Sequence, residues 1–125
     1  ELNGAEISDL VLIAAVKEGL NVDYLSSVFM QNHWINNVDL NDEKSVRIIL
    51  EAQGLESDNL LELAQTKESL NTYEENTKEA IDLSAFGSPT YVVDGDMFYG
   101  QDNLILVERA LGQPFKCNPP IFSIN

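Results

Sequence analysis

The sequence predicts a mostly helical α/β protein, in which a helical subdomain is followed by a β-hairpin and a last helix. Three observations carry that. Apolar residues recur with a period of 3.6 through successive short segments up to about residue 85. After Phe86-Gly87 the pattern changes to two β-branched or aromatic runs, Thr90–Val93 and Asp96–Tyr99. Between them stand Asp94-Gly95, a strong hairpin signal, because a type I′ turn needs positive φ at both central residues.

Each element has its own warrant. Ile7, Leu10, Val11 and Ala14 lie on one face of a first helix that Gly19 stops. Asp23 is the expected cap of a second helix, with Leu25, Val28 and Phe29 on one side. Val46, Ile49 and Leu50 mark a third helix closed by Gly54, and Ser57 precedes a fourth carrying Leu60, Leu61 and Ala64. Leu70, Tyr73, Ala80 and Ile81 predict a longer helix ending near Ala85. The connections are short, so these helices should form a compact bundle. Beyond the hairpin, Asp102 is the expected cap of a helix burying Leu104, Val107 and Leu111, stopped by Gly112 and Pro114. The predicted division is a helical subdomain over 1–85, the hairpin plus helix over 86–112, and a tail over 113–125. No repeat, low-complexity run or linker argues for two independent domains.

The bulk numbers exclude several classes. A chain of 125 residues, 44% hydrophobic, is one globular domain in length and composition. Seven basic against twenty-one acidic side chains give a net charge of −14. A field of that sign repels nucleic acid and anionic lipid, and no Lys/Arg cluster offsets it, so neither is an expected partner. An anionic small ligand can still bind where local donors, such as a helix N-terminus, outweigh the field. No apolar run approaches the roughly 18 residues needed to span a bilayer, and no stretch reads as a signal peptide. Cys117 is the single cysteine, so no internal disulfide and no Cys-x-x-Cys pair is possible, and a cytoplasmic location is expected. It lies in a Pro-rich segment away from any helix start, which is the setting of a bystander thiol. His33 has no second His or Cys near it in sequence and reads, with Trp34, as packing or surface; no metal site is expected. The chain opens on Glu1 in sequence that looks mid-domain, so a fragment or processed product is expected.

The run Ala85-Phe86-Gly87-Ser88-Pro89-Thr90, followed by Val92-Val93-Asp94-Gly95-Asp96-Met97-Phe98-Tyr99-Gly100-Gln101-Asp102, resembles the C-terminal half of the 2-hydroxychromene-2-carboxylate isomerases and the related kappa-class glutathione transferases. Those proteins belong to the DsbA-like thioredoxin superfamily. The upstream helices, including Val28–Trp34 and Thr72–Ala80, look like that family's inserted helical subdomain. The resemblance therefore implies an incomplete thioredoxin-like (DsbA-like) α/β fold: the family's opening β-α-β unit, with the Ser that sits beside the substrate sulfur, has no counterpart here. Asn103 stands where the family commonly has Arg.

The resemblance implies glutathione as the cofactor and Ser88, Pro89, Gln101 and Asp102 as the residues that hold it. From the sequence alone, Ser88-Pro89 reads as an ordinary trans proline at a strand start; the family match implies a cis bond instead. Such a turn exposes the Ser88 backbone, so a peptide-like ligand can add as a short antiparallel strand. Gln101 and Asp102 open a helix whose free N–H groups attract a carboxylate, while Asp102 can accept from an ammonium. A γ-glutamyl group carries both charges on one carbon. Taken alone, without the resemblance, Asp102 reads as a plain N-cap.

The implied activity is isomerase or transferase chemistry on an aromatic-derived small molecule: thiolate addition to a conjugated double bond, rotation and elimination. No catalytic residue is expected within this chain, which is predicted inactive by itself. A DsbA-like thiol–disulfide oxidoreductase, which reads peptides through the same proline loop, and a non-catalytic interaction module remain alternatives. A bare strand edge and an uncovered hairpin face predict a homo-oligomer.

Overall fold

The computed structural model describes residues 6–112. They fall into two compact units, divided between Lys78 and Glu79. Helix α5 (Lys67–Asp82) runs through the division. Pro114 and Cys117 lie outside the described residues.

The first unit holds α1 (Ile7–Lys17), α2 (Val22–Asn36), α3 (Glu43–Ala52), α4 (Ser57–Ala64) and the start of α5. Helix α1 is central and packs against α2, α3 and α4. Its Ala14 and Ala15 are fully buried, and their small side chains let neighbouring backbones approach closely. Leu10, Val11, Val46 and Leu50 fill the centre, and Leu25, Phe29, Leu60 and Leu61 close it from α2 and α4. These are the positions that the 3.6-residue period picks out, because burial of one apolar stripe is what makes short helices stable.

The caps differ from the sequence expectation at α2. Asn21, not Asp23, is the N-cap, and its side chain accepts from the Tyr24 N–H at 3.1 Å. Both residue types cap well, and the helix begins at Val22, which leaves Asp23 in the first turn. Helix α1 has no side-chain cap of its own. Its first N–H groups are satisfied from the α2–α3 connection, where Leu40 O accepts from Ser8 N and Asn41 Oδ1 from Ile7 N. Asp42 caps α3, accepting from the Ser45 hydroxyl at 2.7 Å and from the Ser45 N–H at 3.1 Å. The hydroxyl bond, aided by the backbone one, holds the Asp42 carboxyl below the ordinary aspartate range, since both stabilise the anion. Arg47 pairs with Glu43 on its own helix (3.3 Å) and ties α3 to α4 through Asp58 and the Ser57 hydroxyl. At the α4–α5 junction the buried Ser69 hydroxyl and the Thr66 hydroxyl both donate to Leu63 O.

Helix α5 departs from its predicted stripe. Leu70 and Tyr73 pack against the core, but Ala80 is exposed and Ile81 is 69% exposed. The helix ends at Asp82 because Ser84 turns left-handed (φ 61°) and Ala85 N donates to Ala80 O.

The second unit contains β1 (Thr90–Val93), β2 (Asp96–Tyr99), a 3₁₀ turn (Gln101–Asn103) and α6 (Leu104–Gly112). The strands pair antiparallel in the register Thr90↔Tyr99 to Val93↔Asp96. Asp94 (φ 50°) and Gly95 (φ 87°) both have positive φ, as the two-residue turn demands. Directly opposed residues share a face, so Tyr91, Phe98, Val93 and Asp96 lie on one side, and Thr90, Tyr99, Val92 and Met97 on the other. Helix α6 packs on β1, and the first of these faces is the partly buried one. The helix buries Val107 and Ala110, whereas Leu104 and Leu111, expected inside, are 48% and 71% exposed. Val107 stands three residues from Leu104 and four from Leu111, so period alone puts all three on one stripe; only the position of the hairpin decides which part of α6 is covered.

Among the described residues no helix is long and apolar enough to cross a membrane. Nor, among them, does any group of three or more His, Cys, Asp or Glu stand where it could hold a metal ion. His33 is exposed on α2, with Nδ1 3.0 Å from Val38 O and its ring edge-on to Trp34.

Candidate functional site

The register of the hairpin dictates what lies at its open end. With Thr90 opposite Tyr99, the residues just before β1 and just after β2 must be neighbours. A backbone hydrogen bond from Gly100 N to Pro89 O, 2.9 Å long, makes the link. All four residues singled out from the sequence, Ser88, Pro89, Gln101 and Asp102, therefore belong to one end of the second unit.

The loop side is built by Phe86–Pro89. The Ser88-Pro89 peptide bond is cis. The Thr90 hydroxyl donates to Gly87 O and closes the turn. Among the described residues neither the N–H nor the C=O of exposed Ser88 has a hydrogen-bond partner. A backbone donor and acceptor left bare on one residue is what an added peptide strand requires.

The helix side is built by Gly100–Asn103. Gly100 has φ 89° and ψ 150°, a region open essentially to glycine alone. That conformation turns the chain from β2 directly into the 3₁₀ turn, where Asn103 N donates to Gly100 O at 3.2 Å. The Asn103 side chain donates to Tyr99 O and pins the turn to the strand end. The N–H groups of Gln101 and Asp102 have no partner among the described residues, and both residues are exposed.

Asp102 is not the N-cap that the sequence suggested. It is the middle residue of the 3₁₀ turn, the cap position belongs to Gly100, and no side-chain cap bond forms there. The reason is the extra turn: helical residues begin at Gln101, ahead of the apolar stripe by which the helix start was placed. The Asp102 carboxylate instead folds back over the Gly100 Cα, in space that a Cβ on Gly100 would occupy. It is exposed and uncommitted to the helix, so its oxygens are open to an external cation.

Two aromatic side chains at this end were not singled out as a pair. Phe86 and Tyr99 lie ring to ring, with centroids 4.8 Å apart and planes tilted by 38°. The Tyr99 ring rests directly on Gly87, where a Cβ would overlap it. The strand alternation could have placed Tyr99 on the uncovered face, but Phe86 stands in a loop, where periodicity carries no signal.

The model of the DsbA-like thioredoxin domain matches residues 4–112. The chain belongs to the DsbA-like thioredoxin domain family. Within curated proteins it is similar to a 2-hydroxychromene-2-carboxylate isomerase of Sphingobium xenophagum, at 30% identity over 78 residues. That match covers 62% of this chain and 40% of the relative, so the chain corresponds to less than half of that protein's length. No solved structure matches it.

Proposed function

We propose that this chain supplies the glutathione-holding part of a glutathione-dependent isomerase or transferase acting on an aromatic-derived small molecule. The observation that carries the proposal is the Gly100 N to Pro89 O bond, which sets the bare Ser88 backbone beside the free N–H groups of Gln101 and Asp102. Family membership and the likeness to an isomerase support the isomerase part of this reading; glutathione is what the sequence resemblance implies.

The donor set fits glutathione. The Ser88 N–H and C=O would pair with the cysteinyl residue of the tripeptide, as one strand residue pairs with another. The free N–H groups of Gln101 and Asp102, at the positive end of the helix, suit the γ-glutamyl carboxylate. The Asp102 carboxylate suits the ammonium on the same carbon. Glutathione held there supplies a thiol nucleophile. This chain's residues bind and orient it; in this reading the group that activates the sulfur comes from beyond the described residues.

Titration calorimetry tests this directly. Glutathione is expected to bind, and Asp102→Asn to weaken it by about 1–3 kcal/mol, the scale for losing a hydrogen bond to a charged group. The substitution keeps the size of the side chain, and the carboxylate makes no cap bond to lose, so folding is spared. Equal affinities in the two proteins would remove Asp102 from the site.

A further inference from the structure

The ring pair of Phe86 and Tyr99 has no role in holding a tripeptide, yet it stands against the loop that would hold one. Phe86 is 79% exposed and Tyr99 46% exposed. A single exposed aromatic needs no explanation. Two packed ring to ring with this much of their surface in water are different. Glycine at position 87 makes room for the pair, since it lets the Tyr99 ring lie on the loop backbone one residue before Ser88. Tyr99 is in turn held by its ladder partner Thr90, and its carbonyl by Asn103. The pair thus borders both arms of the cradle: Phe86 precedes Ser88 by two residues, and Tyr99 precedes Gln101 by two.

We infer that Phe86 and Tyr99 form the wall on which the aromatic ring of the second substrate stacks, and that they determine specificity for planar aromatic over aliphatic electrophiles. This rests on the glutathione reading above. A ligand whose polar part fills the cradle brings whatever is attached to its sulfur to the cradle's border, and flat π-faces there favour a flat partner in offset or tilted geometry. Phe86, 79% exposed, leaves most of its surface open to such a partner. Neither residue takes part in bond making; both position the ring.

The probes are glutathione, S-methylglutathione and S-benzylglutathione, titrated against the purified protein and its Phe86→Ala variant. S-benzylglutathione is expected to bind more tightly than S-methylglutathione. In Phe86→Ala that preference should fall by roughly three- to tenfold, the range of an aromatic pair contact, with S-methylglutathione binding unchanged. A general loss of structure would lower both affinities alike, so the ratio separates specificity from folding. Should Phe86→Ala fail to fold, saturation transfer from the Phe86 and Tyr99 ring protons to the benzyl protons of the bound ligand decides the matter in the unsubstituted protein. Binding of S-methylglutathione with no benzyl preference, or with a preference that survives Phe86→Ala and no ring transfer, overturns the wall and leaves the cradle standing. Failure of all three ligands to bind overturns the cradle and the wall with it. Binding of the benzyl derivative alone, sensitive to Phe86→Ala, supports the wall and overturns the cradle.

Discussion

Leu50→Ala is expected to lower the unfolding free energy of the helical unit by about 2–5 kcal/mol. Leu50 is completely buried on α3 and belongs to the cluster that α1 organises. Removing its isobutyl group takes away the apolar surface it buries and leaves a cavity that helices anchored by α1 cannot wholly close. Domains of this size are stable by only ~5–15 kcal/mol, so one such change is a large fraction of the total. Ile48, two residues earlier and 66% exposed, is the internal control. Ile48→Ala should change stability by no more than about 0.5 kcal/mol. Urea denaturation followed by far-ultraviolet circular dichroism measures both. Equal effects of the two substitutions would contradict the core described for this unit.

Gly100→Ala is expected to do more harm than its size suggests. The backbone at φ 89° and ψ 150° strains any residue with a Cβ, by about 1–3 kcal/mol. The new methyl would also lie 2.5 Å from Asp102 Oδ1, so the carboxylate has to leave its place over the turn. The result should be a hairpin unit that is less stable and a glutathione affinity reduced at least as much as by Asp102→Asn. Gly112→Ala is the matched control, because nothing lies within 4 Å of a Cβ there and its φ is ordinary. Amide hydrogen exchange across Thr90–Tyr99 reads the stability effect, and calorimetry the binding effect. Protection and affinity left intact in Gly100→Ala would mean that the turn does not hold Asp102.

The parts of the fold legible in the sequence are those decided by local physics. Both strands begin and end where the alternation and the Asp94-Gly95 turn place them, because a two-residue turn sets the register of everything it joins. The buried faces of α1 to α4 follow from their apolar period for the same reason. Where neighbours decide, local pattern misleads. Leu104, Val107 and Leu111 look like one core stripe of α6, yet of the three only Val107 is buried, together with Ala110. Ala80 and Ile81 extend an apolar pattern on α5 that the helical unit does not use. Caps are ambiguous when two good capping residues stand close together, which is how Asn21 displaced Asp23. Asp102 looked like a cap for a different reason: the 3₁₀ turn that starts ahead of the apolar stripe places it inside the turn, with Gly100 at the cap position. At the site itself, the motif named the two arms, but only the hairpin register explains why they meet. Phe86 was invisible as a partner of Tyr99 because a loop has no period to read.

The most direct test is a map of backbone amide shifts in the ¹⁵N-labelled protein as glutathione is added. A cradle made of the proline loop and the helix start requires the largest changes at Ser88, Gln101 and Asp102, saturating together with one dissociation constant. Changes confined to the helical unit, or none at concentrations where calorimetry detects heat, would contradict it.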